Sequence, residues 1–241
     1  MQRRRGEADR RGVRLLAAVL LVPTALIAWQ WWSDARTEAR LTPVASAIAG
    51  RNVDVDCQGL WASLLDAQAR QGEVLFDPSG VPESRIYLTH ATCDRLWAFA
   101  GKRRHSELDC LASVDWRVHS PVDSPCYRQS AKTIYALLTL AHEAYHTAGV
   151  TAEAQTNCYA IQALAWTTAA LGSDPREAER VAIAMAALEP HQRGGYATDR
   201  CQAGTELDLH PETPDFPTEW PLAPPGAPTA AGLTGARAPA A

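Results

Sequence analysis

Two histidines four residues apart, His142 and His146, stand in the run Leu140-Ala-His-Glu-Ala-Tyr-His-Thr-Ala-Gly149. Residues at i and i+4 project from one face of an α-helix, so both imidazoles can chelate a single metal ion. Glu143 lies about 100° around the same helix, within reach of a water held by that ion. Two neutral ring nitrogens and a carboxylate at this spacing suit metal-assisted hydrolysis. With only 7 His in 241 residues, a chance HExxH is expected on the order of once in a hundred such chains.

The motif needs a helix to hold it, and the surrounding pattern predicts one over about 130–148. Ile134, Leu137, Ala141, Ala144 and Ala148 make an apolar stripe, leaving Leu138, His142, Tyr145 and His146 on another face. Gly149 stops this helix and Thr151 offers an N-cap for the next, expected over 152–171. A catalytic zinc ordinarily has three protein ligands, and the tight reversal at Gly149 folds Glu153, in the first turn of the second helix, back toward the histidine pair. Glu153 equally suits a carboxylate stabilised by the helix N-terminal dipole.

On these residues the chain resembles the gluzincin class of zinc metallopeptidases, in which HExxH is followed by a Glu in an ExxxD or ExxAD helix. Glu153-Ala-Gln-Thr-Asn157 is similar to that element, with Asn157 where the family carries Asp. The resemblance covers residues 142–160. It implies a zincin-like helical domain, Zn2+ held by His142, His146 and Glu153, and Glu143 as the general base. It also implies that Asn157 accepts a hydrogen bond that orients a ligand histidine. The separation of seven residues from His146 to Glu153 is shorter than in the best-known gluzincins. Gly149 sits where metzincins carry a glycine, but residue 152 is Ala rather than their third His. Metallopeptidases often need a donor for the developing oxyanion, and Tyr145, Tyr159, His191, Arg193, Tyr196 and His210 are candidates. His90, His105 and His119 have no ligand spacing.

The remaining elements are mainly helical, at about 60–70, 91–100 and 174–189, with a strand-like 85–89. Gly172-Ser173 followed by Asp174-Pro175 separates the last two helices. A lone strand cannot form a sheet, so its partners are expected within 71–89 or 101–128. The fold class is mostly α, with α+β as the alternative.

The length and a 46% hydrophobic composition suit one compact domain, and a net charge of −4 argues against a nucleic-acid partner. That charge is uneven. Residues 1–14 carry six Arg against Glu7 and Asp9, a net +4, which leaves −8 for the rest. The next eighteen residues, 15–32, contain no charge and can span a bilayer as an anchor. The arginines would then stay cytoplasmic, with Trp29, Trp31 and Trp32 at the far interface. A cleaved signal peptide is the competing reading, with small residues at Ala45, Ala47 and Ala49.

The expected organisation is therefore a basic stub at 1–14, an anchor at 15–32, a linker at 33–49, an extracytoplasmic domain at 50–210 and a Pro/Ala-rich tail at 211–241. Cys57, Cys93, Cys110, Cys126, Cys158 and Cys201 all follow the anchor, where disulfides persist. Fifteen pairings are possible, and a bond from Cys158, with Cys201 as one candidate partner, would clamp the ligand-bearing helix. The expected substrate is a peptide or protein of the cell envelope. The alternatives are a non-catalytic zinc- and disulfide-stabilised domain that binds a partner protein, and a metal-free helical interaction domain.

Overall fold

The computed structural model describes residues 24, 28–59, 71–101, 106–110, 124–192, 194–213 and 216–217. The basic stub, the helix expected at 60–70, and most of the anchor and tail lie outside these residues. Residues 1–36 and 37–241 form separate units. In the first, residues 28–36 are helical and Trp29, Trp31 and Trp32 are exposed. The Arg36 guanidinium stacks 3.4 Å above the Trp32 ring. Among the described residues, no helix is long and apolar enough to cross a membrane.

The second unit is mostly helical with a small sheet. It opens where a linker was expected: residues 37–49 form helix α1, with Leu41, Val44, Ala45 and Ile48 buried in the core. Their spacing of three and four is the amphipathic period that a linker lacks. The polar side of α1 runs along strand β1 (Asp54–Cys57). Glu38 Oε1 accepts from the Cys57 N–H at 2.9 Å, Thr42 Oγ1 from Val55 at 3.2 Å, and Ser46 Oγ from Val53 at 3.0 Å. One edge of the sheet is thereby sealed by side chains.

Strands β2 (Gly72–Phe76) and β3 (Pro82–Leu88) complete the sheet in the order β1-β3-β2. β1 pairs parallel to β3 in the register Val55↔Ile86, and β2 pairs antiparallel in the register Val74↔Ile86. Ile86 and Leu88 of the central strand are fully buried. The strand expected at 85–89 and a partner within 71–89 are both present. β1 is a third strand beyond those expected, although Val53-Asp-Val-Asp-Cys57 carries the alternation of a half-buried strand. The β2–β3 turn is tied by Asp77, whose Oδ1 accepts from Ser79 N at 2.8 Å, Ser79 Oγ at 2.6 Å and Val81 N at 2.9 Å.

Helix α2 (His90–Ala100) is capped by Thr89 and bonded through Cys93 to Cys57, with Cα atoms 5.9 Å apart. A single turn, α3 (Ser106–Asp109), is joined to the next helix by Cys110–Cys126. That helix, α4 (Pro125–Thr147), starts five residues earlier than the apolar stripe alone suggests, because Pro125 suits a first helical position. It packs against β2, β3, α2 and α3, and against α5 (Glu153–Gln162) and α6 (Leu164–Ala170). The single helix expected at 152–171 is broken at Ala163, where no Pro or Gly marks the interruption. Helix α7 (Pro175–Leu188) follows Gly172, whose φ is +105°, and is capped by Asp174, which accepts from Arg176 N at 2.9 Å.

The third disulfide, Cys158–Cys201, joins α5 to the chain beyond Gln192. The buried Gln162 adds two bonds to the same stretch, donating to the Leu207 carbonyl at 2.8 Å and accepting from Leu209 N at 2.7 Å.

Leu140 is fully buried on the core side of α4. Truncation by Leu140→Ala should cost about 2–5 kcal/mol, read from urea unfolding of the full chain by tryptophan fluorescence. A loss below about 1 kcal/mol would show that α4 is not the packing centre.

Candidate metal centre

The C-terminal end of α4 sets the geometry. Gly149 adopts φ +97° and donates to the His146 carbonyl at 2.9 Å, while Val150 N donates to Tyr145 O at 3.1 Å. This paired pattern is a Schellman stop, in which the residue at positive φ is glycine because a Cβ would be strained there. The chain turns back within a few residues, and α5 begins at Glu153. Its N-cap is Ala152 rather than Thr151, and no side chain caps it. Thr156 Oγ1 instead donates to the Ala152 carbonyl at 3.0 Å.

The reversal brings three donor atoms together. His142 Nε2 lies 3.0 Å from His146 Nε2 and 3.0 Å from Glu153 Oε2, and His146 Nε2 lies 3.6 Å from the same oxygen. Atoms so spaced can all reach one ion at the roughly 2.0–2.2 Å that imidazole and carboxylate ligands take toward zinc. His142 and His146 are buried, whereas the Glu153 side chain is 48% exposed. The group could hold a metal ion.

The electrostatics favour an ionised Glu153 and a neutral His146. The hydrogen bond from His142 holds the Glu153 carboxyl below the usual carboxylate range, against a smaller opposite push from burial. Burial lowers the His146 pKa, and His142 beside it acts in the same direction. His146 Nδ1 lies 2.7 Å from the Val150 carbonyl. A carbonyl can only accept, so Nδ1 carries the proton and the Nε2 lone pair faces the space shared with His142 Nε2 and Glu153 Oε2.

These residues line one cleft of about 710 Å³. Along α4 its floor is Tyr135, Leu138, Thr139, His142, Glu143 and His146, a helical period of three and four. Gly72, Val74 and Phe76 of β2 form the opposite rim, and the Phe76 ring meets His146 edge-on at 6.1 Å. Of the oxyanion candidates only Tyr196 lines the cleft among the described residues, its ring 5.8 Å from that of His142. Tyr145 is buried against Tyr159 instead, with ring centroids 5.5 Å apart. Arg193 lies outside the described residues.

Asn157 also lines the cleft, but its amide group donates to Gln192 Oε1 and to the Tyr196 carbonyl, both at 3.0 Å. The orienting acceptor that the resemblance assigned to Asn157 is, for His146, the Val150 carbonyl. Asn157 ties the Tyr196 segment to the helix that carries Glu153. Gly72, Val150 and Gln192 had no signal in the sequence, because each depends on a contact between distant segments or on a backbone atom.

Metal uptake should therefore be proton-sensitive with a defined sign. The ligating forms are neutral imidazole and ionised carboxylate. The lowered pKa values of His146 and Glu153 move proton competition at those two groups to lower pH than in an unfolded chain. In the metal-free protein both shifts contribute stability that is lost on acidification, His146 as pH falls from its ordinary value of about 6.5 toward its lowered one. Elemental analysis across pH should show metal retained at pH 7 and lost in acid, and His142→Ala/His146→Ala should retain almost none. Equal retention by the double variant would place the ion elsewhere. No protein-family model, curated protein or solved structure matches this chain.

Proposed function

We propose that this chain is a membrane-anchored, extracytoplasmic zinc peptidase acting on a peptide or protein of the cell envelope. One observation carries the reading: the buried Glu143 lines the same cleft into which His142, His146 and Glu153 converge. Zinc, when bound, supplies a Lewis acid that polarises the scissile carbonyl and lowers the pKa of its water toward about 7. Glu143 takes the proton released as water adds to the carbonyl carbon, and delivers it to the amine nitrogen as the C–N bond breaks. Tyr196 is the donor for the carbonyl oxygen as charge develops there.

The cleft suits an extended peptide. β1 is covered by α1, whereas β2, the other edge strand, borders the donors, where a substrate strand could be added. The three disulfides support an oxidising compartment. The apolar run at 15–32 and the exposed tryptophans at its end support the anchor.

The test is the full chain, loaded with zinc, on a peptide library. Glu143→Gln should keep one equivalent of metal and lose about 10²–10⁴-fold in kcat. A zinc-replete wild type with no hydrolysis would instead favour the non-catalytic, metal-stabilised domain that binds a partner. Extraction of membranes at alkaline pH should leave the full chain in the pellet and release a chain lacking residues 1–36.

A further inference from the structure

Gly72 opens β2 over α4, and a side chain at this position requires a neighbour to shift. A Cβ built on it would lie 2.9 Å from Leu88 Cδ2, 2.9 Å from Thr139 Cγ2 and 3.0 Å from Glu143 Cγ. Carbon atoms normally pack at about 3.5–4.0 Å, so at least one neighbour must move. Leu88 is fully buried in the core. The strand is pinned beside Gly72, because the Gln71 carbonyl accepts from Thr89 N at 3.1 Å and from Thr92 Oγ1 at 2.9 Å. Thr139 Oγ1 donates to Gln71 Oε1 at 3.2 Å, a bond that rotation of its methyl away from the strand would break. Thr139 and Glu143 both line the cleft, and with Thr139 held by its bond to Gln71 Oε1 the Glu143 methylenes are the group on which a Cβ at position 72 bears.

From this arrangement we infer that Gly72 is a positioning residue for Glu143: the bare strand backbone is the wall against which the Glu143 methylenes rest, and it fixes where the carboxylate points. The inference rests on the peptidase reading for its consequence in catalysis, and on the packing alone for its consequence in structure. The Glu143 methylenes meet β2 at Gly72, whereas the donor atoms meet through the α4–α5 reversal and touch β2 only at Phe76, four residues further on. A displacement of about 1 Å at a proton-transferring group can cost on the order of 10²-fold in rate.

The experiment compares zinc-loaded full-length wild type with Gly72→Ala. The variant should keep its zinc and its unfolding midpoint within a few degrees. Its kcat should fall on the order of 10²-fold with KM within about twofold, and its crystal structure should show the Glu143 carboxylate moved by about 1 Å. A merely structural role for Gly72 would lower zinc content and melting temperature together with activity. Gly72→Ala/Thr139→Ser removes one crowded methyl and leaves the Glu143 contact. It should remain impaired, and it serves for the same measurements if the single variant does not fold. Recovery of wild-type kcat by this pair would put the constraint in the helix–strand spacing and overturn the inference. If the wild type hydrolyses nothing, the peptidase reading fails, and the crystal structure decides: a strand that withdraws while Glu143 keeps its place refutes the role of Gly72.

Discussion

The left-handed turn at Gly149 is the constraint on which the centre depends. Its two backbone bonds end α4 and reverse the chain, so a carboxylate eleven residues after His142 returns to within 3.0 Å of it. A helix that continued past residue 149 would carry Glu153 away from the pair at about 1.5 Å per residue. The same turn leaves the Val150 carbonyl facing His146 Nδ1. Reversal, donor geometry and imidazole tautomer therefore share one backbone feature.

Helix α4 serves two environments at once. Ile134, Leu137, Leu140, Ala141 and Ala144 are fully buried in the core, while Tyr135, Leu138, Thr139, His142, Glu143 and His146 floor the cleft. Helix α5 does comparable work in a shorter span. Glu153 faces the donors, Asn157 holds the Tyr196 segment, Cys158 is bonded to Cys201, and Gln162 binds the Leu207 and Leu209 backbone. The buried amides of Asn157 and Gln162 each find hydrogen-bond partners in the chain beyond α7.

What could be read from the sequence was local. HExxH, the Gly149 and Gly172 stops and the Asp174-Pro175 start are short-range signals whose meaning lies within one or two helical turns. The convergence of Glu153 with the histidines followed from one such signal. What could not be read was long-range, namely the pairing of β1 with β3 and the cysteine partners, whereas the α1 stripe at Leu41, Val44, Ala45 and Ile48 is a local signal within the residues expected to form a linker. Asn157 shows the limit of carrying a motif across, since its place one turn after Glu153 is legible but the bonds its amide makes depend on Gln192 and Tyr196.

The short His146–Glu153 spacing separates two properties that a single cleft would seem to join. The donors of the metal centre span twelve residues and meet through one helical hairpin, a contact of very low sequence separation that can form early in folding at little loop-closure cost. The wall beside Glu143 comes from Gly72, seventy-one residues earlier, and exists only once the sheet has docked on α4. The meeting of the three ligand-type side chains belongs to a local segment, whereas the aim of the neighbouring carboxylate belongs to the completed tertiary structure. A partly folded chain could thus bring His142, His146 and Glu153 together before Glu143 has its wall.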